Sequence, residues 1–521
     1  MNRVWLLIHI AILLISCREK PSEDNHNIFK YNSSNNISSL DPAFARTQEN
    51  IWICKQLFSG LVQLDENLQV MPDIAESWTI NEENNLYTFK LKEAVYFHAS
   101  AFWNTQARKV TSFDFKHSFL RILNKKTASP GRWIFSNIID SSSIWCEGDS
   151  ILKIKLKKRF PPFLNQLAMP YCFVIPKEIS NKKKIDFGKN PIGCGPFQLT
   201  IWQKGSRLLA NRNMLYHGEL PKIDGFSVQF IPNKQIAFLQ FKKGKLDFFS
   251  GIESSFKDHV ISKNGKLKRA YQSKFYLQTK PFLNVEYIGF NMQNRDAKNI
   301  FLRKAIHHAI NRKNLVKHLR NGLGTPGIGG FIPIGLTGYR GCKDSVFDPQ
   351  RAEKLVLNHG LTNKEILLTT TKDYEDMALF IAGELDKVGL DLKINVVPAA
   401  VLRQGKSEGE FSLFRGSWIA DYPDGQNFLS SFYSKNIPPD GPNYFGYKNP
   451  IFDELYEENV EQIRERSNTE LYLKMQKILE DDMPLVVLFY DKSIHLLNKR
   501  VKNFKVNSLN HIDLRSVSLV H

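Results

Sequence analysis

Cysteine is scarce in this chain, and its spacing supports neither a metal site nor a redox pair. Six cysteines occur in 521 residues and no two stand as CxxC, so zinc ribbons and thioredoxin-like chemistry have no motif. HExxH is missing. The adjacent His307 and His308 diverge by about 100° on a helix and do not chelate one ion together. There is no nucleophile elbow, no ordered triad and no framed acid pair. No catalytic residue, metal or cofactor is therefore assigned, and an enzyme is not expected. The glycine-rich stretch 325–330 lacks the GKS or GKT ending of a phosphate loop and reads as a plain connection. Acidic residues are in deficit, 52 against 71 basic ones, for a net charge of +19. That surplus is scattered, with no basic run longer than Lys182-Lys183-Lys184 and no nucleic-acid motif beside it. It reads as the basic surface of an exported protein, and no nucleic-acid partner is expected.

What is present begins with a processing segment. Arg3 precedes an apolar stretch, 4–15, interrupted only by His9. That is too short to span a bilayer but suits a signal h-region. The stretch ends in Leu14-Ile15-Ser16-Cys17, which resembles the bacterial lipobox and implies lipidation of Cys17. Residues 1–16 are read as signal peptide and 17–27 as a polar tether. No later apolar run reaches the roughly 18 residues of a membrane span, so a lipid anchor is the expected membrane attachment. The remaining cysteines, Cys54, Cys146, Cys172, Cys194 and Cys342, allow at most two disulfides, with no pairing assigned. Hydrophobic residues make up 42% and charged residues 24%, enough for sizeable cores. A chain this long divides into two or three lobes.

Alternation predicts strands at 86–91, 151–156 and 390–396, with 95–97 continuing a sheet; 28–32, 198–202, 287–291 and 366–370 also read as strands, and 484–490 as a buried-type one. Helical spacing predicts helices over 49–61, 111–123 with Ser112 as N-cap, 349–359, 374–388, 452–462 and 469–482. Residues 301–319 give the clearest helix, with Phe301, Ala305, Ile306, Ala309, Ile310 and Leu315 on one stripe. The strand–helix–strand order over 366–396 indicates a mixed α/β lobe.

The most informative stretch is 410–434. A strand over 411–414 runs into Arg415, Gly416, Ser417 and Trp418 at a strand-to-turn junction. The acidic turn Asp421-Tyr422-Pro423-Asp424-Gly425 follows, then Phe428, Leu429 and Phe432 at helical spacing. A cation, an aromatic and an anion close together suit a zwitterionic ligand. Local sequence also fits blander roles: Asp421 as a turn residue, Arg415 as the ion-pair partner of Asp421, Trp418 as core, and Lys406 as a solvated lysine in a polar loop.

Seven segments carry a wider resemblance: Leu40-Asp41-Pro42, the block 74–97, the helix start 111–118, Gly193-Cys194-Gly195-Pro196-Phe197, 287–292 with the helix 302–313, the turn 418–428, and 471–484. In this order the chain resembles the peptide-binding lipoproteins of ABC importers, the oligopeptide, dipeptide and nickel-type group. The resemblance implies a two-lobed α/β Venus-flytrap with an extra subdomain in the first lobe and two inter-lobe crossings, near Phe282 and Pro484. Lobe I would comprise 28–55, 180–282 and 487–521, the extra subdomain 56–179 and lobe II 283–486. It implies a monomer that captures a peptide between the lobes and delivers it to an ABC permease, while lipid-anchored to a membrane and facing the periplasm or cell exterior. Asp421 would pair with the ligand's α-ammonium group, and Arg415 and Lys406 would approach its carboxylate. Gly416, Ser417 and Trp418 would offer backbone groups. Lysine at 406, where relatives have arginine, gives up bidentate geometry. The insertion-like stretch 98–109 and Gly425 also depart from the family pattern. Metal-chelate or haem binding by the same fold stays open, as does a peptide hydrolase or a signalling receptor.

Overall fold

The computed structural model describes residues 27–520 apart from 104–106, 182–185, 253, 342–345, 440 and 462–464. Cys17, the signal segment and nearly all of the tether lie outside the described residues, as does Cys342. Among those described, Cys54, Cys146, Cys172 and Cys194 are free thiols, and no helix is long and apolar enough to cross a membrane.

Two mixed sheets organise the chain. The first has seven strands, in spatial order Phe275–Pro281, Lys492–Asn498, Phe248–Ser250, Ile28–Ser33, Gly225–Phe230, Arg207–Arg212 and Phe197–Gln203. The second has six: Thr325–Pro326, Leu485–Tyr490, Asn284–Phe290, Leu413–Ile419, Lys364–Thr370 and Leu390–Val396. A separate four-stranded sheet, Ala75–Ile80, Leu86–Leu91, Ile151–Lys155 and Ile144–Glu147, joins the core of the first lobe. Residues 95–97 do not continue that sheet as a strand; only an isolated bridge, Tyr96 to Lys109, forms there.

The chain changes sheet twice, at places that lie side by side. Phe275–Pro281 leads through Phe282 and Leu283 into Asn284–Phe290. Leu485–Tyr490 leads through Asp491 into Lys492–Asn498, so the second crossing falls at Asp491 rather than near Pro484. The reason is the strand itself: every residue of Leu485–Tyr490 is buried, as a central strand of the second sheet requires. Asn284–Phe290 is likewise buried throughout.

Three helix ends differ from expectation, each for a local reason. The first helix stops at Leu57 because Gly195 donates its N–H to the Leu57 carbonyl at 3.0 Å. A Cβ on Gly193 would lie 1.9 Å from the same oxygen, so only glycine fits there. The helix Ser112–Leu123 is capped by Thr111, not Ser112, in a capping box with Asp114. The long helix over 301–319 is two helices, Ile300–Ala309 and Arg312–Leu319, because the Asn311 side chain caps the second by accepting from Asn314 N–H.

Arg312 fixes that break to the second sheet. It is 2% exposed and donates to the carbonyls of Val487 (2.6 Å), His307 (2.9 Å) and Ile310 (3.3 Å). Arg312→Ala leaves three carbonyls without their donor and opens a cavity. Denaturant unfolding is expected to show a loss of about 3 kcal/mol; a change below about 0.5 kcal/mol contradicts this account.

Candidate functional site

The floor of the site is the antiparallel pair Asn284–Phe290 and Leu413–Ile419, in register Glu286 to Ser417, Tyr287 to Gly416 and Ile288 to Arg415. The strand runs through Arg415 to Ile419 and is not a strand-to-turn junction. Side chains alternate along it. Arg415 and Ser417 share the face of Leu413 and Ile288, whereas Gly416 and Trp418 share that of Phe414 and Tyr287. The expected row of four is therefore divided between two faces. On its other edge the strand pairs with Lys364–Thr370 only at Leu413 and Phe414. From Arg415 to Ile419 that edge has no strand partner among the described residues. An extended chain can lie along such an edge and complete it.

Asp421 stands at the end of the open edge. Its surface is exposed to solvent, although many protein atoms lie around the carboxyl. Burial pushes its carboxyl up to about 6, partly offset by its bond with Asn427. Asn427 Oδ1 accepts the Asp421 N–H at 3.2 Å and the Trp418 indole N–H at 3.1 Å. No cation among the described residues lies within ion-pair distance of Asp421. The next acid is committed: Asp424 caps the helix Gly425–Leu429 and accepts from the Tyr472 hydroxyl at 2.6 Å. The turn faces the first lobe, where Trp133 lies 6.0 Å from the Tyr422 ring centroid. The Tyr171 phenol is pushed up by burial and then by the charge of Asp421.

Arg415 does not pair with Asp421. It pairs with Glu286, which is buried beneath it, and stacks on Tyr374 with its guanidinium carbon 3.3 Å from the ring centroid. Glu286 also accepts from Ser417 Oγ (2.7 Å) and Asn284 Nδ2 (3.1 Å). Asn284 Oδ1 accepts the Asp491 N–H at 2.9 Å, and Arg320 donates to both Asp491 oxygens at 2.7 and 2.6 Å. Arg320 and Tyr374 line a cavity of about 670 Å³, which Lys257 and Ile494 line from the first-lobe side.

Lys406 is on a helix, Ala399–Glu408, rather than in a polar loop. Its ammonium lies over the rings of Tyr444 (5.0 Å) and Phe414 (5.6 Å). Burial, then Arg415 and Arg403, push it down to about 8. Among the described residues no carboxylate lies within ion-pair distance of it. His98, a metal candidate by composition, is a buried histidine satisfied by the Gly195 carbonyl at 3.1 Å and pushed down to about 4 by burial. Among the described residues no group of three His, Cys, Asp or Glu side chains is placed to hold a metal ion.

Sequence reasoning missed Glu286, Asn427, Tyr374, Arg320 and Asp491. Glu286 offered a faint signal, a lone acid in an otherwise apolar strand. The others gave none, since their partners are distant in the chain.

Residues 69–439 match the family described as bacterial extracellular solute-binding proteins, family 5 middle. The dipeptide-binding protein of Escherichia coli K12 is 25% identical over 489 residues, covering 89% of both chains. The periplasmic binding protein DppA of Helicobacter pylori, solved with the peptide STSA, superposes with a TM-score of 0.79 at 26% identity, over 94% of this chain and 97% of that one. NikZ of Campylobacter jejuni, solved with Ni(L-His), superposes with a TM-score of 0.77 at 21% identity, over 94% and 99% of the two chains, and shows the fold alone.

Gly416 is required by the site floor. A Cβ there would meet the Tyr287 ring at 2.2 Å, and that ring is wedged against Phe331 and Phe445. Gly416→Ala is expected to lower the thermal midpoint, at a cost of about 2 kcal/mol. An unchanged midpoint would mean that the ring moves freely.

Proposed function

The chain belongs to the bacterial extracellular solute-binding proteins of family 5, and from that premise we propose that it captures short peptides between its lobes for an ABC importer. The open backbone edge from Arg415 to Ile419, ending at an acid with no cationic partner, carries this reading. An extended peptide pairs its main chain with that edge, which is blind to side chains and so tolerates varied sequences. Its α-ammonium group meets Asp421. Lys406 takes the ligand carboxylate as a point charge, while Arg415, held by Glu286, positions the wall instead of gripping ligand. Gly416, Ser417 and Trp418 supply backbone groups. The two lobes, joined at 282–283 and at Asp491, close over the peptide, and the monomer presents it to the permease. No step of this function is catalytic. Cys17 carries the lipid that keeps the protein at the membrane.

Two experiments test these assignments. Free peptides are expected to raise the melting temperature, and the same peptides N-acetylated are not. Asp421→Asn is expected to weaken binding about a hundredfold; equal binding of free and acetylated peptides would remove Asp421 from the site. The pH profile follows from the two charges. Below about 6 Asp421 takes a proton and attraction to the ammonium is lost. Above about 8 Lys406 gives one up and attraction to the carboxylate is lost. Affinity therefore peaks between these values and falls about tenfold from pH 7 to pH 5. For the anchor, Cys17→Ser is expected to move the protein from the membrane fraction to the soluble one; retention in the membrane would refute lipidation there.

A further inference from the structure

Two arginines at or behind the wall of the inter-lobe cavity are neutralised by carboxylates of the protein itself. Arg320 is held by Asp491 through two bonds. Arg415 is held by Glu286, whose side chain is 3% exposed against 11% for the arginine. Glu286 receives three donors, from Arg415, Ser417 and Asn284, and donates to none. That pattern fits an ionised carboxylate acting purely as acceptor. Burial pushes Glu286 up and Arg415 draws it back, so the guanidinium maintains the charge that occupies it. A buried ion pair is weak grounds for stability, since apolar residues of similar volume often serve as well. This pair, moreover, stands behind Tyr374, which lines the inter-lobe cavity, and it leaves Arg415 Nε enclosed without an acceptor.

Two of the lysines that line the cavity are differently engaged. Lys257 donates to the Leu319 carbonyl, and Lys372 pairs with Glu375 at the surface. Lys406, outside the lining of that cavity, is half-buried with no carboxylate in ion-pair distance among the described residues, and Arg415 and Glu286 act on it with opposite signs.

We propose that Glu286 is a specificity-determining residue: by occupying Arg415 it withholds that cation from the ligand and restricts the cleft to peptides with a single free carboxylate. The proposal rests on the peptide reading above. A first carboxylate balances Lys406. A second, on an acidic side chain beside Tyr374, meets an arginine already neutralised and the negative charge that neutralises it.

The test compares Ala-Ala-Glu with Ala-Ala-Gln by calorimetry on the purified protein, with melting curves as a check on folding. The wild type is expected to bind the acidic peptide no better than the neutral one. Glu286→Gln frees Arg415 and is expected to shift the ratio about tenfold toward the acidic peptide. Arg415→Gln leaves Glu286 uncompensated and is expected to shift the ratio the other way. It carries the test if Glu286→Gln does not fold. A gain for one peptide is something a merely damaged fold does not give. An unchanged ratio in a folded variant overturns the role of Glu286 while leaving the peptide reading intact. Failure of the wild type to bind either peptide overturns that reading, and this proposal with it.

Discussion

The structure depends on two strands crossing between sheets at the same place. Phe282 donates its N–H to the Asp491 carbonyl at 3.1 Å, and Asp491 N–H is accepted by Asn284 Oδ1 at 2.9 Å. The two linkers are thus one hydrogen-bonded unit, and the lobes can change their angle only by turning about it. The same side chains continue into the binding wall. Asn284 bonds Glu286, Glu286 holds Arg415, and Arg415 stacks on Tyr374. The wall's geometry is thereby tied to the connection between the lobes. Its charges are internally paired, so neither arginine is left as a buried unpaired charge, which would cost several kcal/mol.

Much of the architecture was legible in the sequence because it follows from periodicity. Buried strands such as Leu485–Tyr490 read as apolar runs, and half-buried ones such as Leu86–Leu91 alternate. Periodicity failed where one side chain overrode it. The apolar stripe over 301–319 is continuous, yet the Asn311 cap breaks the helix in the middle of it. The helix Ala399–Glu408 was read as a loop because only Leu402 and Gly405 of it are buried, too few to mark a face. Pro398 before it and the left-handed Gly409 after it were the available signs.

The site was legible in its backbone and less so in its charges. The open edge and the acidic turn come from one continuous stretch, which a local reading can find. The pairing of Arg415 with Glu286 joins residues 129 apart, and that of Arg320 with Asp491 joins residues 171 apart. A local reading instead offered Asp421 as the partner of Arg415, the nearer acid in sequence. The strand pleat forbids it by turning Arg415 toward the face of Ile288 and Leu413, where Glu286 waits in the neighbouring strand.

Which groups can recognise a ligand is then decided by subtraction. Asp424 is taken by the helix it caps and by Tyr472; Glu286 and Asp491 are taken by their arginines. Of the acids in the turn, Asp421 is left without a cation in ion-pair distance among the described residues. Of the cations named for the ligand, Lys406 is left without an anion among them. Both have shifted proton affinities, upward for the acid and downward for the base, with the crowding of protein around each charge as the leading cause. On the proposed reading a zwitterion supplies both at once, one at each end, with its main chain along the edge from Arg415 to Ile419, which has no strand partner among the described residues. On the proposed reading, recognition of an extended molecule with an ammonium at one end and a carboxylate at the other rests on main-chain pairing and these two charges, with acidic side chains the class that Glu286 disfavours.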